Sequence, residues 1–191
     1  MMRKLLPPFV LLVAVPCLGQ LEPADVGANR AAQSAADALK TFTGADAAFF
    51  AGALVRPANL DRNDLKSILE YPTESILIMS LTGAQIKAAF ERSVSLYPQP
   101  STSFLQISGF VVTFNKSAVA GQRIVSVMVG TAPLDPQHTY TVAMPASLGR
   151  GGLGYFKIWD KSNITKVLDK QVEDALAGQK YADTPLRWLP Q

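Results

Sequence analysis

The chain has 191 residues, 48% apolar and 17% charged. That excludes a disordered polymer and permits one domain with a sizeable core. Of its 18 basic residues two, Arg3 and Lys4, stand at the very start, leaving 16 against 15 acidic residues, which excludes the basic surface of a nucleic-acid or anionic-membrane binder.

Residues 1–19 read as a secretory signal peptide: a short basic start, then an apolar run from Leu5 to Leu18 broken by Pro7, Pro8 and Pro16. The run is too short and too proline-broken for a membrane span. Cys17 is the one cysteine, so its removal with the leader leaves neither a disulfide nor a thiol nucleophile. A lipid anchor on Cys17 is the alternative, with Pro16 directly before it a poor fit. Export to the periplasm or the outside of a bacterial cell is expected, with no membrane association after cleavage.

Residues 20–25 form a polar linker, and 26–191 read as a single domain. Apolar residues from Val26 to Leu39 recur at helical spacing, and Gly44 stops that helix. Ala45 to Ala53 predicts a buried strand. Asn63 is expected to cap a short helix carrying Leu65, Ile68 and Leu69, ended by Pro72. Ser75 to Leu81 is a β-type run. Thr82-Gly83-Ala84-Gln85 then forms a capping box, opening a helix with Ile86, Ala89, Phe90 and Val94 on one face. Pro98 and Pro100 close it. Phe104–Phe114 (alternating around Gly109), Arg123–Val129 and Thr139–Met144 predict further strands. The segment from Gly149 to Gly154 is rich in glycine, Ile164 to Leu176 is expected to be an amphipathic helix, and Pro185 to Trp188 an extended, docked end. Helices and strands mix without strict alternation, so the predicted class is α+β, a mixed sheet with flanking helices.

The inventory for catalysis is thin. His138 is the one histidine, placed after a turn, and reads as a surface residue. A two-metal hydrolytic centre needs several His, Asp and Asn ligands, and a serine triad needs a base with an orienting acid. Neither set is supplied, so no catalytic residue, no metal ligand and no cofactor are expected. The glycine cluster fits neither the P-loop nor the dinucleotide pattern, and reads as a tight turn. Asn115-Lys116-Ser117 and Asn163-Ile164-Thr165 are glycosylation sequons, relevant only in a source that glycosylates.

Seven segments in order resemble the C-terminal domain of the 5'-nucleotidases: Ala45-Asp46-Ala47-Ala48 with Gly52 and Arg56; Leu69-Glu70-Tyr71-Pro72 leading into Ser75-Ile76-Leu77-Ile78; Leu81 to Ser93; Phe104 to Phe110; Arg123 to Val127; Pro133 to Pro136 with Thr139 to Ala143; and Gly151-Gly152-Leu153-Gly154-Tyr155. The resemblance runs from about residue 25 to 190. It implies a role in nucleotide catabolism, as the recognition half of a two-domain enzyme whose other half binds two metals and cleaves the phosphate ester. It further implies a nucleoside held between two aromatic rings, with an arginine and two polar side chains beside it.

Carried over by position, those contacts fall on Arg56 (the motif arginine), Tyr71 (the first ring), Glu74, Ser147 (the second ring's place), Gly151, Gly152 and Leu153. Arg56 is equally readable as a surface arginine at a strand end, and Tyr71 as a rim or core tyrosine. Ser147 has no ring to stack, Leu153 no polar group for a sugar hydroxyl, and Glu74 repels a phosphate; Ala51 stands where the family has Asn. Losing one stacking face and two polar contacts weakens nucleotide recognition by several kcal/mol, on about 1–3 kcal/mol per stacked base.

Three readings follow: a stand-alone, non-catalytic module binding another ligand or a protein; the recognition subunit of a split 5'-nucleotidase or metallophosphatase whose metallophosphoesterase is a separate chain; or a vestigial structural protein. Possible partners are therefore that separate chain and a nucleoside or nucleotide, but no nucleic acid. The metals that the family resemblance implies would belong to the missing catalytic domain.

Overall fold

The computed structural model describes residues 29–182 and 184–191. The expected signal peptide, the linker and the beginning of the predicted first helix lie outside the described residues.

Helix α1 (Arg30–Thr43) begins where the Asn29 side chain accepts the Ala32 amide and ends at Gly44, whose left-handed backbone turns its own amide onto the Lys40 carbonyl. Its buried face is Ala31, Ala32, Ala35, Ala36 and Leu39. Small side chains let the helix lie close on the strands β1 (Ala47–Ala51) and β3 (Leu105–Ser108). The next expected cap moves by one residue. Asp64, not Asn63, accepts the Lys66 amide, and the turn it opens is a 3-10 segment, Leu65–Ile68, that ends well before Pro72.

Strand β2 (Ser75–Thr82) passes directly into α2 (Gly83–Ser93) through the expected capping box. Thr82 accepts the Gln85 amide at 3.2 Å, and Gln85 accepts the Thr82 amide at 3.0 Å. The predicted apolar face is the buried one: Ile86, Ala89, Phe90 and Val94. The helix ends at Ser93, ahead of both prolines.

The stretch 104–114 is two strands rather than one. β3 and β4 (Phe110–Phe114) part at Gly109, where φ is 92°. A side chain there would also meet the Asp46 carbonyl at 2.5 Å, so only glycine lets the chain leave one sheet and enter the other. β5 (Ile124–Val129), β6 (Ala132–Pro133) and β7 (Thr139–Pro145) follow, then a one-turn helix α3 (Ala146–Gly149).

The expected helix over Ile164–Leu176 is overturned. Ile164–Gln171 is strand β8, and only Val172–Leu176 is helical (α4). Residues four apart share a face in a helix and in a strand alike, so the spacing of Ile164, Leu168, Val172 and Leu176 could not separate the two. The exposed edge of β2 decides: β8 pairs with it antiparallel, from Ser75↔Gln171 to Met79↔Ile164. The end of the chain docks as β9 (Trp188–Pro190).

The strands form two mixed sheets, β3-β1-β7-β2-β8 and β6-β5-β4-β9, in which β1 runs parallel to β7 and β4 parallel to β9. Phe90 of α2 stands between them. Its ring meets Phe49 of the first sheet at 5.7 Å and Trp188 of the second at 5.4 Å, both edge-on, so one aromatic cluster unites the core. Among the described residues no helix is long and apolar enough to cross a membrane.

Candidate functional site

Pairing of β2 with β7 sets one end of the larger sheet. Ile76 lies opposite Pro145, so Glu74, two residues before, and Ser147, two residues after, face each other past the last rung. The Ser147 amide donates to the Glu74 carboxylate. Glu74 is tied back to Tyr71 by its own amide, which donates to the Tyr71 carbonyl at 3.3 Å. Tyr71 itself projects outward, 56% exposed.

Arg56 reaches the same rim by another route. After β1 a 3-10 turn, Gly52–Leu54, leads to Val55, which bridges antiparallel to Leu69. The Arg56 amide donates to the Ile68 carbonyl at 2.7 Å, and the Glu70 amide to the Leu54 carbonyl at 3.0 Å. This two-rung ladder sets Arg56 beside Glu70. Its guanidinium grips the carboxylate with two donors, Nη2 to Oε1 at 2.6 Å and Nε to Oε2. The carboxylate raises the arginine's proton affinity above its ordinary value, and nearby Tyr71 adds a smaller effect in the same direction. Arg56 remains 60% exposed.

The glycine segment closes the rim. A side chain at Gly152 would meet the Ser147 carbonyl at 2.6 Å, so α3 and the loop after it can touch only because that position is bare. Gly151, with φ 89°, turns the chain before it. Leu153 holds φ 58° and ψ 21°, a left-handed conformation uncommon for a leucine. Its side chain packs on the core, and its carbonyl accepts from Arg92 Nη2 at 2.9 Å. Two buried rings anchor the loop from below. Tyr155 and Trp159 stack at 4.7 Å; Tyr155 donates to the Ser103 carbonyl at 2.8 Å and Trp159 to the Leu148 carbonyl at 2.9 Å. Burial pushes the Tyr155 hydroxyl far above its usual range and keeps it a neutral donor.

A continuous series of contacts therefore runs Arg56, Glu70, Tyr71, Glu74, Ser147, Gly152, Leu153. Of the contact residues carried over from the family it includes Arg56, Tyr71, Glu74, Ser147, Gly152 and Leu153, while Gly151 makes the turn just before Gly152. Glu70, Arg92 and Phe156 were not singled out. The Arg56–Glu70 pair spans fourteen positions and depends on the Val55–Leu69 bridge, which no local pattern announces. Phe156 directly follows the buried Tyr155 yet is 64% exposed.

On the rim Arg56, Tyr71 and Ser147 are exposed, while Glu70, Glu74, Gly152 and Leu153 are half-buried. A largely apolar groove of about 330 Å3 lies elsewhere, lined by Gly83, Lys87, Val125, Met128 and Leu134 among others. His138 is exposed and edge-on to Tyr140 at 4.6 Å. Among the described residues no group of three or more His, Cys, Asp or Glu side chains is arranged to hold a metal ion.

Residues 20–160 match the family model described as the 5'-nucleotidase, C-terminal domain. That span ends just after the glycine loop and leaves out β8, α4 and β9. The chain is similar to the snake venom 5'-nucleotidase of Naja atra, 34% identical over 95 residues, which are 45% of this chain and 18% of that protein. It is also similar to a 5'-nucleotidase-related protein of Glossina morsitans morsitans, 35% identical over 133 residues, 63% of this chain and 24% of that one. The curated relatives are thus much longer: the matched part of the chain spans about a fifth of their length. Among solved structures, the 5'-nucleotidase precursor of Thermus thermophilus superposes with a TM-score of 0.70 at 25% identity, over 88% of this chain and 37% of that one.

Proposed function

The chain belongs to the 5'-nucleotidase C-terminal domain family, and from that premise we propose that it is an exported, non-catalytic recognition module that binds a nucleoside-like ligand or a partner on the Arg56–Leu153 rim. The single observation that carries this reading is the convergence of three distant segments, 56, 70–74 and 147–153, on one exposed rim through specific contacts. A structural role alone does not call for an arginine, a tyrosine and a phenylalanine left in solvent around a rigidly anchored loop. Export is supported by the leader-like start of the sequence and by similarity to venom proteins.

The non-catalytic part of the reading rests on chemistry. One exposed histidine in the turn before β7 and no clustered ligands among the described residues offer no group placed to activate water. The rim is a degenerate form of the nucleoside pocket the family resemblance implies: Ser147 offers no ring, and Leu153 turns into the core. The test uses the full chain with AMP and divalent metal. No phosphate is expected, while nucleosides should shift its melting temperature. Metal-dependent phosphate release would overturn the reading.

A second reading has its own observation. Tyr71 and Phe156, large rings 56% and 64% exposed, suit a surface that a separate metallophosphoesterase chain covers, making this protein the recognition subunit of a split hydrolase. Restored AMP hydrolysis on mixing with such a chain would favour it over the free module.

A further inference from the structure

The geometry points to Glu70 as a specificity-determining residue: it holds the Arg56 fork closed and biases the rim toward an uncharged nucleoside-like ligand over its phosphorylated form. This rests on the recognition reading above and adds the ligand's charge class to it.

An arginine fork takes one bidentate partner at a time, and a carboxylate edge presents the same pair of oxygens as a phosphate edge. Here that place is taken from within the chain, by Nη2 on Oε1 at 2.6 Å and Nε on Oε2. The carboxylate is the fixed member of the pair. Its side chain is 21% exposed against 60% for Arg56, and the backbone ladder at Val55–Leu69 sets it in place before any ligand arrives. A phosphate must displace this tethered competitor, and it also meets Glu74 at the Ser147 amide. Arg56, the exposed Arg150 and Arg92, which holds the Leu153 carbonyl, stand against Glu70 and Glu74 on the rim, so the bias comes from the occupied Arg56 fork and not from net charge. A neutral ligand that stacks on Tyr71 meets neither obstacle.

If Arg56 is free of Glu70 about a tenth of the time, its apparent affinity for an anion falls about tenfold. The test titrates the full chain and its Glu70→Gln variant with inorganic pyrophosphate, and separately with adenosine, by calorimetry, with circular dichroism verifying the fold. Glu70→Gln is expected to bind pyrophosphate about tenfold more tightly than the parent, and the gain should vanish in Glu70→Gln/Arg56→Ala. Glu70→Asp, which draws the charge back by one methylene, should fall between. Equal pyrophosphate affinity in parent and Glu70→Gln, or a gain that survives without Arg56, would overturn the proposal. Adenosine separates this from the broader reading. Pyrophosphate gained with adenosine bound by no form leaves the closed fork standing and removes the nucleoside. Adenosine bound by all forms without a pyrophosphate gain does the reverse.

Discussion

Arg56 lies in solvent with its partner at its side, so its substitution separates binding from stability. An exposed ion pair is worth about 0–1 kcal/mol. Arg56→Ala is therefore expected to change unfolding stability by less than about 1 kcal/mol, measured by urea titration, while weakening any anion response at the rim. A larger loss would make the arginine structural. Leu153 is the opposite case, a half-buried contact against the core held on an unfavourable backbone. Asp tolerates the left-handed region better than Leu, so Leu153→Asp should regain part of the roughly 1 kcal/mol of backbone strain it sacrifices in packing. Combined with Ser147→Phe, at an exposed position on the rim, it is expected to create or strengthen adenosine binding, read by calorimetry. An absence of heat would mean that the loop carries the two side chains away from the rim.

Between elements, Asp46 fastens β1 to β7. Its Oδ2 accepts the Thr141 amide at 2.8 Å and the Thr141 hydroxyl at 2.7 Å, and these bonds hold its carboxyl below the usual range. A carboxyl depressed on folding contributes stability that is present above its unfolded pKa of about 3.9 and is lost as pH falls through the lower folded value. The melting-temperature gap between the parent and Asp46→Asn should therefore be widest above about pH 5 and close in more acid solution. The site is largely open to water, so the gap should stay at a few degrees, on about 1 kcal/mol. A gap that persists unchanged below pH 3 would assign the effect to packing. In the loop between α3 and the rim, Gly152→Ala forces a carbon to 2.6 Å from the Ser147 carbonyl. About 1–3 kcal/mol of stability should be lost. Rim binding should weaken with it, because α3 and the glycine loop can no longer both keep their places.

Across the molecule, the two sheets share one aromatic core, and the last strand completes it. Trp188 lies among Phe90, Phe104 and Phe114, with its indole N–H on the Leu105 carbonyl at 2.9 Å. Trp188→Ala opens a cavity there and leaves that carbonyl without its donor. A loss of about 3–5 kcal/mol is expected, seen as one cooperative transition at lower denaturant. If only β9 loosened and the main transition stayed where it was, the two sheets would be energetically separate. A second clasp acts nearby: Arg187 Nη1 reaches Asp37 Oδ1 at 2.6 Å and the Ile107 carbonyl at 3.0 Å, tying the same C-terminal segment to α1 and β3.

Neighbouring residues were enough wherever short-range chemistry is in control. The capping box at Thr82–Gln85, the buried face of α2, the stop at Gly44 and the α+β class are written in them, and the family could be read from seven ordered segments. Folding settled whatever depends on partners far along the chain. Ile164–Gln171 became a strand because β2 had an edge to offer, although its four-residue spacing suits a helix equally. Residues 104–114 became two strands because Gly109 must pass the Asp46 carbonyl. Arg56, Tyr71, Glu74, Ser147 and Leu153 were legible as candidates one by one. That Glu70 closes on Arg56, and that Leu153 turns its side chain to the core, follow from a bridge between Val55 and Leu69 and from a loop anchored by Tyr155 and Trp159. Contacts of that kind bring together residues tens of positions apart, and a local pattern carries no record of them.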